Sequence, residues 1–566
     1  MKRRSLLLLG AAACLPIPVA VLGRGGAALA QGTGAAGPVP VAVGLSGIAD
    51  WEAAQPFIDV FRHSREWMGR RPDEFVSHTH AQLAEGGHLD EGGWPVSIPD
   101  DATSVGTVIL CDLAADDTSL SGHYRMTWDG AATVAINGTC TNVTQGEGWA
   151  EFDYETSDSG IVVVDLSDLA PGNPARNFRC IHASLQAAHD DGQIFRPVWL
   201  DLIRSFGVIR FMDWMATNNS TVSDWSDRPT LTSATWTFGV PVEVMVTLAN
   251  DLGVDPWFCF PHLATDDYIT RFASYVRDNL DPGLRAYYEY SNEVWNFQFE
   301  QCHWALQQAE ALWPGQGDGW MQVYGGKSAD MAVLLDAVYG CDASRYRKVI
   351  TAHTAWIDLN HSALDAPLWV AAETGRQPPK THFDAYAVTG YFDGGLGRPA
   401  NVPLIQSWRE MGEPQAFALM AEQVLDGRHV SGEEAGTTMD GLQAMWEAQK
   451  AIADDAGLAL VMYEGGSHVT PDHDALEADP GLLNFYTRFH YSDQMGQLYT
   501  QALTRFAEAG GEFFNVFVEV AGPGRAGFWG ARRHVMDDNP RWNAIIDYNA
   551  TTTRQARPVE AEASCP

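Results

Sequence analysis

Two glutamates stand out for the chemistry their settings permit. Glu293 lies in the run Tyr288-Glu289-Tyr290-Ser291-Asn292-Glu293-Val294-Trp295-Asn296, and Glu464 in Leu460-Val461-Met462-Tyr463-Glu464-Gly465-Gly466. Each follows a short apolar or aromatic stretch that breaks off at polar or glycine residues, the pattern of a buried parallel strand carrying a side chain to the rim of a sheet. Two carboxyl groups delivered in this way can act as a pair on a glycosidic bond. One protonates the leaving oxygen, and the other attacks the anomeric carbon or activates water. Glu289, earlier in the first run, is read as a decoy suited to an arginine inside the fold.

The elements that must position this pair alternate. After Gly207-Val208-Ile209-Arg210-Phe211, helical stretches and apolar runs succeed one another, the signature of parallel βα units. Pro241 opens a helix that closes near Gly253, and a longer helix is expected over Ile194 to Phe206. With Val41-Ala42-Val43-Gly44-Leu45 as the first strand, eight strands are counted. The fold expected is an α/β chain, a (β/α)8 TIM barrel with an inserted antiparallel β-sandwich; an open doubly wound sheet is the rival. On this count Glu293 follows strand four and Glu464 strand seven, at the face where such barrels carry catalysis.

The insert is expected over 73–183, where short alternating runs are split by Asp129-Gly130 and Asn137-Gly138 turns. The barrel would occupy 41–72 and 184–550, with a flexible tail over 551–566. Held by two connections, the insert is read first as a structural lid on the cleft, the alternative being a glycan-binding module in which Tyr124, Trp128, Trp149 or Tyr154 touches sugar.

Composition limits the partners. The formal charge of −36, from 72 acidic and 36 basic residues, argues against nucleic acid, which would be repelled. Residues 1–30 read as an export signal: Lys2-Arg3-Arg4, an apolar stretch, then Ala28-Leu29-Ala30. The paired arginines suit twin-arginine transport, so a periplasmic or extracellular location is expected. No later segment is apolar enough to span a membrane. No Cys/His cluster has zinc spacing, and His78-Thr79-His80 lacks a third placed ligand, so neither metal nor organic cofactor is expected. Cys111 with Cys140, and Cys302 with Cys341, are candidate disulfides, with free thiols as the alternative.

The placement of Asn292-Glu293 after the fourth strand and Glu464 after the seventh resembles clan A of the glycoside hydrolases. The wider sequence is also similar to bacterial secreted proteins described as cellulose-binding or hypothetical. The clan resemblance implies a retaining mechanism on a β-linked polysaccharide or oligosaccharide, with Glu464 as nucleophile and Glu293 as acid, then base. It also implies that Asn292 holds the sugar 2-hydroxyl, that Arg210 lies near the nucleophile, and that a tyrosine or histidine stands over it. Tyr386, Tyr391 and His353 are the candidates for that last place. A catalytically inactive carbohydrate-binding protein and a transglycosylase on the same scaffold remain alternatives.

From the residues themselves, His262 follows the third strand and can hydrogen-bond sugar hydroxyls. Asp213 closes the second strand, beside Asn218. Trp214, Trp295 and Trp529 can offer faces to the apolar C–H surface of a pyranose.

Overall fold

The computed structural model describes residues 40–552. Its framework is eight strands, β1 (Ala42–Gly44), β2 (Val208–Arg210), β3 (Asp255–Phe260), β4 (Ala286–Tyr290), β5 (Tyr346–Thr351), β6 (Ala385–Phe392), β7 (Ala459–Ser467) and β8 (Asn515–Phe517). They pair in parallel and in sequence order, and Ala42 beside Asn515 closes the ring. The chain is a (β/α)8 barrel, and closure removes the open sheet from consideration.

Burial on both faces explains the strand sequences. All six residues of β3 and all five of β4 are buried. Along β3, Trp257 and Cys259 face the axis while Phe258 and Phe260 pack outward against the helices. Each such side chain contributes about 1.5–3 kcal/mol by leaving water. The helix after β2, Val242–Leu252, is entered from Pro241 and ended by Gly253 at φ 62°, a left-handed turn that favours glycine. The expected helix over Ile194 to Phe206 is reduced to Pro197–Ile203. Pro197 biases Arg196 to extended backbone, so the helix cannot begin earlier.

An antiparallel sandwich is inserted between β1 and β2. One sheet runs in the order Glu74–His78, Met68–Arg71, Ser104–Ile109, Val162–Ser167, Thr133–Gly138, and the other Arg176–His182, Gly122–Asp129, Trp149–Tyr154, Thr141–Gly146. Met68–Arg71 thus belongs to the antiparallel sheets although it precedes residue 73. Tyr124, Trp128 and Tyr154 do not present themselves to a glycan: they pack in the sandwich core. In Gly122–Asp129 every second side chain must point between the sheets, and Tyr124, Met126 and Trp128 share that face. Trp149 is half-buried, with Arg125 lying over its ring.

The sandwich is seated on the barrel by directed polar contacts. Asp59 Oδ1 accepts from the Cys180 amide at 2.8 Å, and Arg65 donates to Asp50 at 2.7 Å. Trp94 Nε1 donates to the Thr232 carbonyl at 3.0 Å, on the loop after β2. His534, beyond β8, stands 3.2 Å from Asp116. The insert therefore walls the rim where the loops after β1, β2 and β8 meet.

The expected cysteine pairs do not form. Cys111, Cys140 and Cys302 are free thiols, while Cys341 is disulfide-bonded to a partner other than Cys302. Spacing in sequence carried no information on Cα separation, which decides whether a bridge can form. Among the described residues no helix is long and apolar enough to cross a membrane. The export signal expected over 1–30 lies outside the described residues, as does the expected tail from 553 onward.

Candidate active site

Arg210, the last residue of β2, organises the floor of the barrel mouth. Its Nε and Nη2 donate to both oxygens of Glu289 at 2.9–3.0 Å, its Nη1 to Glu464 Oε1 at 2.8 Å, and its Nη2 to Asn292 Oδ1 at 2.8 Å. One guanidinium thus binds a structural carboxylate below and orients two candidate site residues above, which its planar fork can do and an ammonium cannot. Glu289 is the expected decoy. It also accepts from Trp257 Nε1 at 2.9 Å and faces the Cys259 thiol at 3.2 Å. Burial pushes its carboxyl up, and Arg210 pulls it back.

Glu464 reaches this centre through an irregularity in the sheet. Val388 pairs with Met462, but Thr389 pairs with Glu464, so β7 carries an extra residue at Tyr463. Regular alternation would send Tyr463 and Glu464 to opposite faces. The bulge turns both toward the axis. Tyr391, on β6, donates its hydroxyl to Glu464 Oε2 at 2.9 Å. Arg210 and Tyr391 therefore supply one charged and one neutral hydrogen bond to the carboxylate.

Glu293 occupies a strained turn after β4. Ser291 and Glu293 both lie in the left-handed region, at φ 61° and 42°, each at a cost of roughly 1–3 kcal/mol that surrounding contacts must offset. Those contacts are visible. The Ser291 amide donates to the Phe260 carbonyl at 2.8 Å, and Gln301 Nε2 donates to the Asn292 carbonyl at 2.8 Å and to Asn218 Oδ1 at 2.7 Å. Asn218 in turn accepts from Asn292 Nδ2 at 3.1 Å. Asn296 donates to Glu293 Oε2 at 2.9 Å and the Tyr463 hydroxyl lies 3.4 Å from Oε1. Burial first, and then the charge of Glu464, push the Glu293 carboxyl up to about 8.

The other expected residues divide. Asp213 lies within the field of Glu464, and burial together with that charge pushes it to about 7, although part of its surface reaches solvent. Trp529 packs edge-on against Tyr391, ring centroids 5.6 Å apart, on the Glu464 side. Trp295 meets His353 edge-on at 4.4 Å on the Glu293 side. His262 and His353 are both held near 4 by burial, so each is neutral at pH 7. His262 packs against Trp304.

Two expected residues are placed elsewhere. The Tyr386 side chain leaves the axis and donates to Gln449 on the helix Met439–Ala456 at 2.7 Å. Five positions separate it from Tyr391, so alternation puts the two on opposite faces. Trp214 is fully buried behind the strand, stacked on Trp199 with its Nε1 donating to the Ser46 carbonyl. Tyr463, Asn296 and Gln301 went unnoticed in the sequence. Asn296 and Gln301, three and eight positions after Glu293, had a proximity signal, and Tyr463 had one in the period of two that it shares with Val461.

No protein-family model matches the chain, and no curated protein matches it either. Among solved structures it is similar to a 4-O-alpha-L-rhamnosyl-beta-D-glucuronidase from Fusarium oxysporum, at 14% identity and TM-score 0.33, over 62% of this chain and 64% of that one. A beta-glucosidase from Thermotoga maritima gives 10% and 0.33, over 63% and 86%. An endo-beta-1,4-mannanase from Thermotoga petrophila gives 12% and 0.28, over 62% and 72%. The barrel stands on its own strand pairing, and the chemistry on the rim.

Among the described residues one exposed group, His473, Asp474 and Glu477, has metal-ligand spacing. It sits on the short helix His473–Ala478, where Glu477 also stands 4.0 Å from Arg525.

Proposed function

We propose that the protein is an exported glycoside hydrolase that cleaves a β-linked glycan with retention, using Glu464 as nucleophile and Glu293 as acid and then base. The observation that carries the reading is the unequal treatment of two carboxyl groups in one pocket. Glu464 takes one hydrogen bond from the Arg210 guanidinium and one from the Tyr391 hydroxyl, while burial first and then the neighbouring Glu464 hold Glu293 up to about 8. Such a split is what an acid and a nucleophile require at neutral pH.

The steps follow. Glu464 attacks the anomeric carbon as the glycosidic C–O bond breaks, and Glu293 gives its proton to the departing oxygen. Glycosylation removes the charge on Glu464, so the Glu293 carboxyl loses the repulsion that adds to the effect of burial, and it becomes a base for the incoming water. Water then replaces Glu464 at the anomeric carbon, its proton passing to Glu293. Asn292, fixed by Arg210 and Asn218, is positioned to bind the sugar 2-hydroxyl. The β linkage and export rest on the sequence resemblance and on residues 1–30.

The test is a release assay of the mature protein on β-glucans, mannans, xylans and galactans, following product anomers by proton NMR. A product that first appears with the substrate's configuration, lost in Glu464→Ala and Glu293→Ala, supports the reading. Inversion removes the nucleophile role from Glu464. Saturable binding without release indicates a binding protein, and acceptor sugars competing with water indicate a transglycosylase.

A further inference from the structure

On the Glu293 side of the mouth, aromatic side chains from three different elements form a continuous row. Trp295 meets His353 at 4.4 Å, and His353 meets Trp356 at 6.4 Å. Trp356 meets Trp320, the second residue of the helix Gly319–Tyr339, at 6.1 Å, and Trp320 meets Phe297 at 5.7 Å. The row begins two residues from Glu293 and ends in solvent, where Phe297 is 52% exposed. Trp356 is half-buried. The Trp320 indole N–H is buried with no protein acceptor.

Trp295 and Trp320 anchor the row in the barrel's hydrophobic core, and Trp356 and Phe297 leave ring surface open beside it. Aromatic groups left partly open at a rim, as Trp356 and Phe297 are, lose free energy in water unless something covers them. The row also contains no charged group, since His353 is held neutral by burial to about 4. Its matching surface is therefore uncharged, with C–H faces to lie on rings and hydroxyls at the edges.

We propose that this row binds the leaving-group portion of the substrate, so that the scissile bond lies inside a chain of uncharged pyranose units with at least two of them beyond Glu293. The inference rests on the proposed function for its orientation, because the acid that protonates the leaving oxygen is the residue next to the row. Phe297 and Trp356 offer the ring faces, and the row's length selects chains over small aglycones.

The test uses Phe297→Ala and Trp356→Ala in the mature protein, with β-linked oligosaccharides of increasing length and an aryl glycoside of the same sugar. In the wild type, kcat/KM rises with each unit added on the leaving-group side. In the variants that rise is flattened, and the ratio of kcat/KM for the longest oligosaccharide to that for the aryl glycoside falls about three- to tenfold. An unchanged ratio in both variants, with melting temperatures like the wild type's, overturns the proposal. Because Phe297 is exposed, its variant serves even where Trp356→Ala folds poorly. Should the wild type release nothing, the function fails separately, and calorimetry with the same oligosaccharides decides the row. Weaker binding in Phe297→Ala than in the wild type supports it as a glycan site, whereas equal binding or none removes it.

Discussion

The raised Glu293 carboxyl makes a prediction about stability that does not depend on knowing the substrate. In the folded protein this group titrates at about 8 against an ordinary 4.5. A carboxyl raised in this sense keeps its full contribution to stability below pH 4.5 and loses it as pH climbs through 8, because the unfolded chain releases the proton first. The rise of about 3.5 in pKa, at 1.36 kcal/mol for each, is about 5 kcal/mol. Glu293→Gln keeps the shape and still accepts from Asn296, but has no proton to lose. The variant is therefore expected to match the wild type at pH 4.5 and to be more stable at pH 8.5 by up to about 5 kcal/mol. With an unfolding entropy of about 2 cal/mol/K per residue over the folded chain, that corresponds to roughly 5 °C in melting temperature. Calorimetric melting of both proteins at half-unit pH steps reads the difference directly. If the two curves run parallel from pH 4.5 to 8.5, Glu293 is not held protonated, and the acid role falls with it.

Other outcomes follow from the same geometry. Arg210→Met leaves Glu289 and Glu464 buried without their cation, and should cost on the order of 3–5 kcal/mol in denaturant unfolding; pairing it with Glu289→Gln should recover part of the loss. Tyr391→Phe removes a 2.9 Å bond to Glu464 and should lower kcat on any hydrolysed glycan about tenfold or more. Tyr386→Phe, on the far face, should leave the pH profile of that activity unchanged. Peptide mapping under native redox conditions should find Cys302 alkylated once the chain is unfolded and Cys341 protected until a reductant is added.

The strand order was legible because buried parallel strands read as uninterrupted apolar runs, and Trp257-Phe258-Cys259-Phe260 or Tyr287-Tyr288 admit little else. The choice between Tyr386 and Tyr391 stayed open in the sequence, because the period of two along a strand decides it only once Ala385 and Ala387 are known to face the axis. The same rule shows why Tyr124 and Trp128 are core residues of the sandwich. Glu464 was read at the end of the seventh strand, but the bulge that turns it to the same face as Tyr463 was not visible. A bulge adds a residue without any local sequence mark when glycines follow it. Trp320, Trp356 and Phe297 escaped notice for a different reason: their meeting depends on how a loop and two helices pack, and contacts of that kind have no periodicity. Trp214 was misplaced because an aromatic just past a strand end can turn either way, and Trp199 captured it.

Closure of the ring through Ala42 and Asn515 has a consequence for how the chain is made. At about 5–20 residues per second, the partner that completes β1 leaves the ribosome on the order of half a minute to a minute and a half after β1 itself. Through that interval one edge of β1 has unpaired amide and carbonyl groups, and an edge of this kind recruits strands from other chains. The sandwich, whose sequence follows β1 and is finished long before β8, lies against the loop after β1 through Asp50 and Asp59. A folded neighbour at that position fixes the loop that leaves β1 while the strand waits for its last partner. Removing the insert would then cost yield of native protein before it cost anything measurable in the finished barrel.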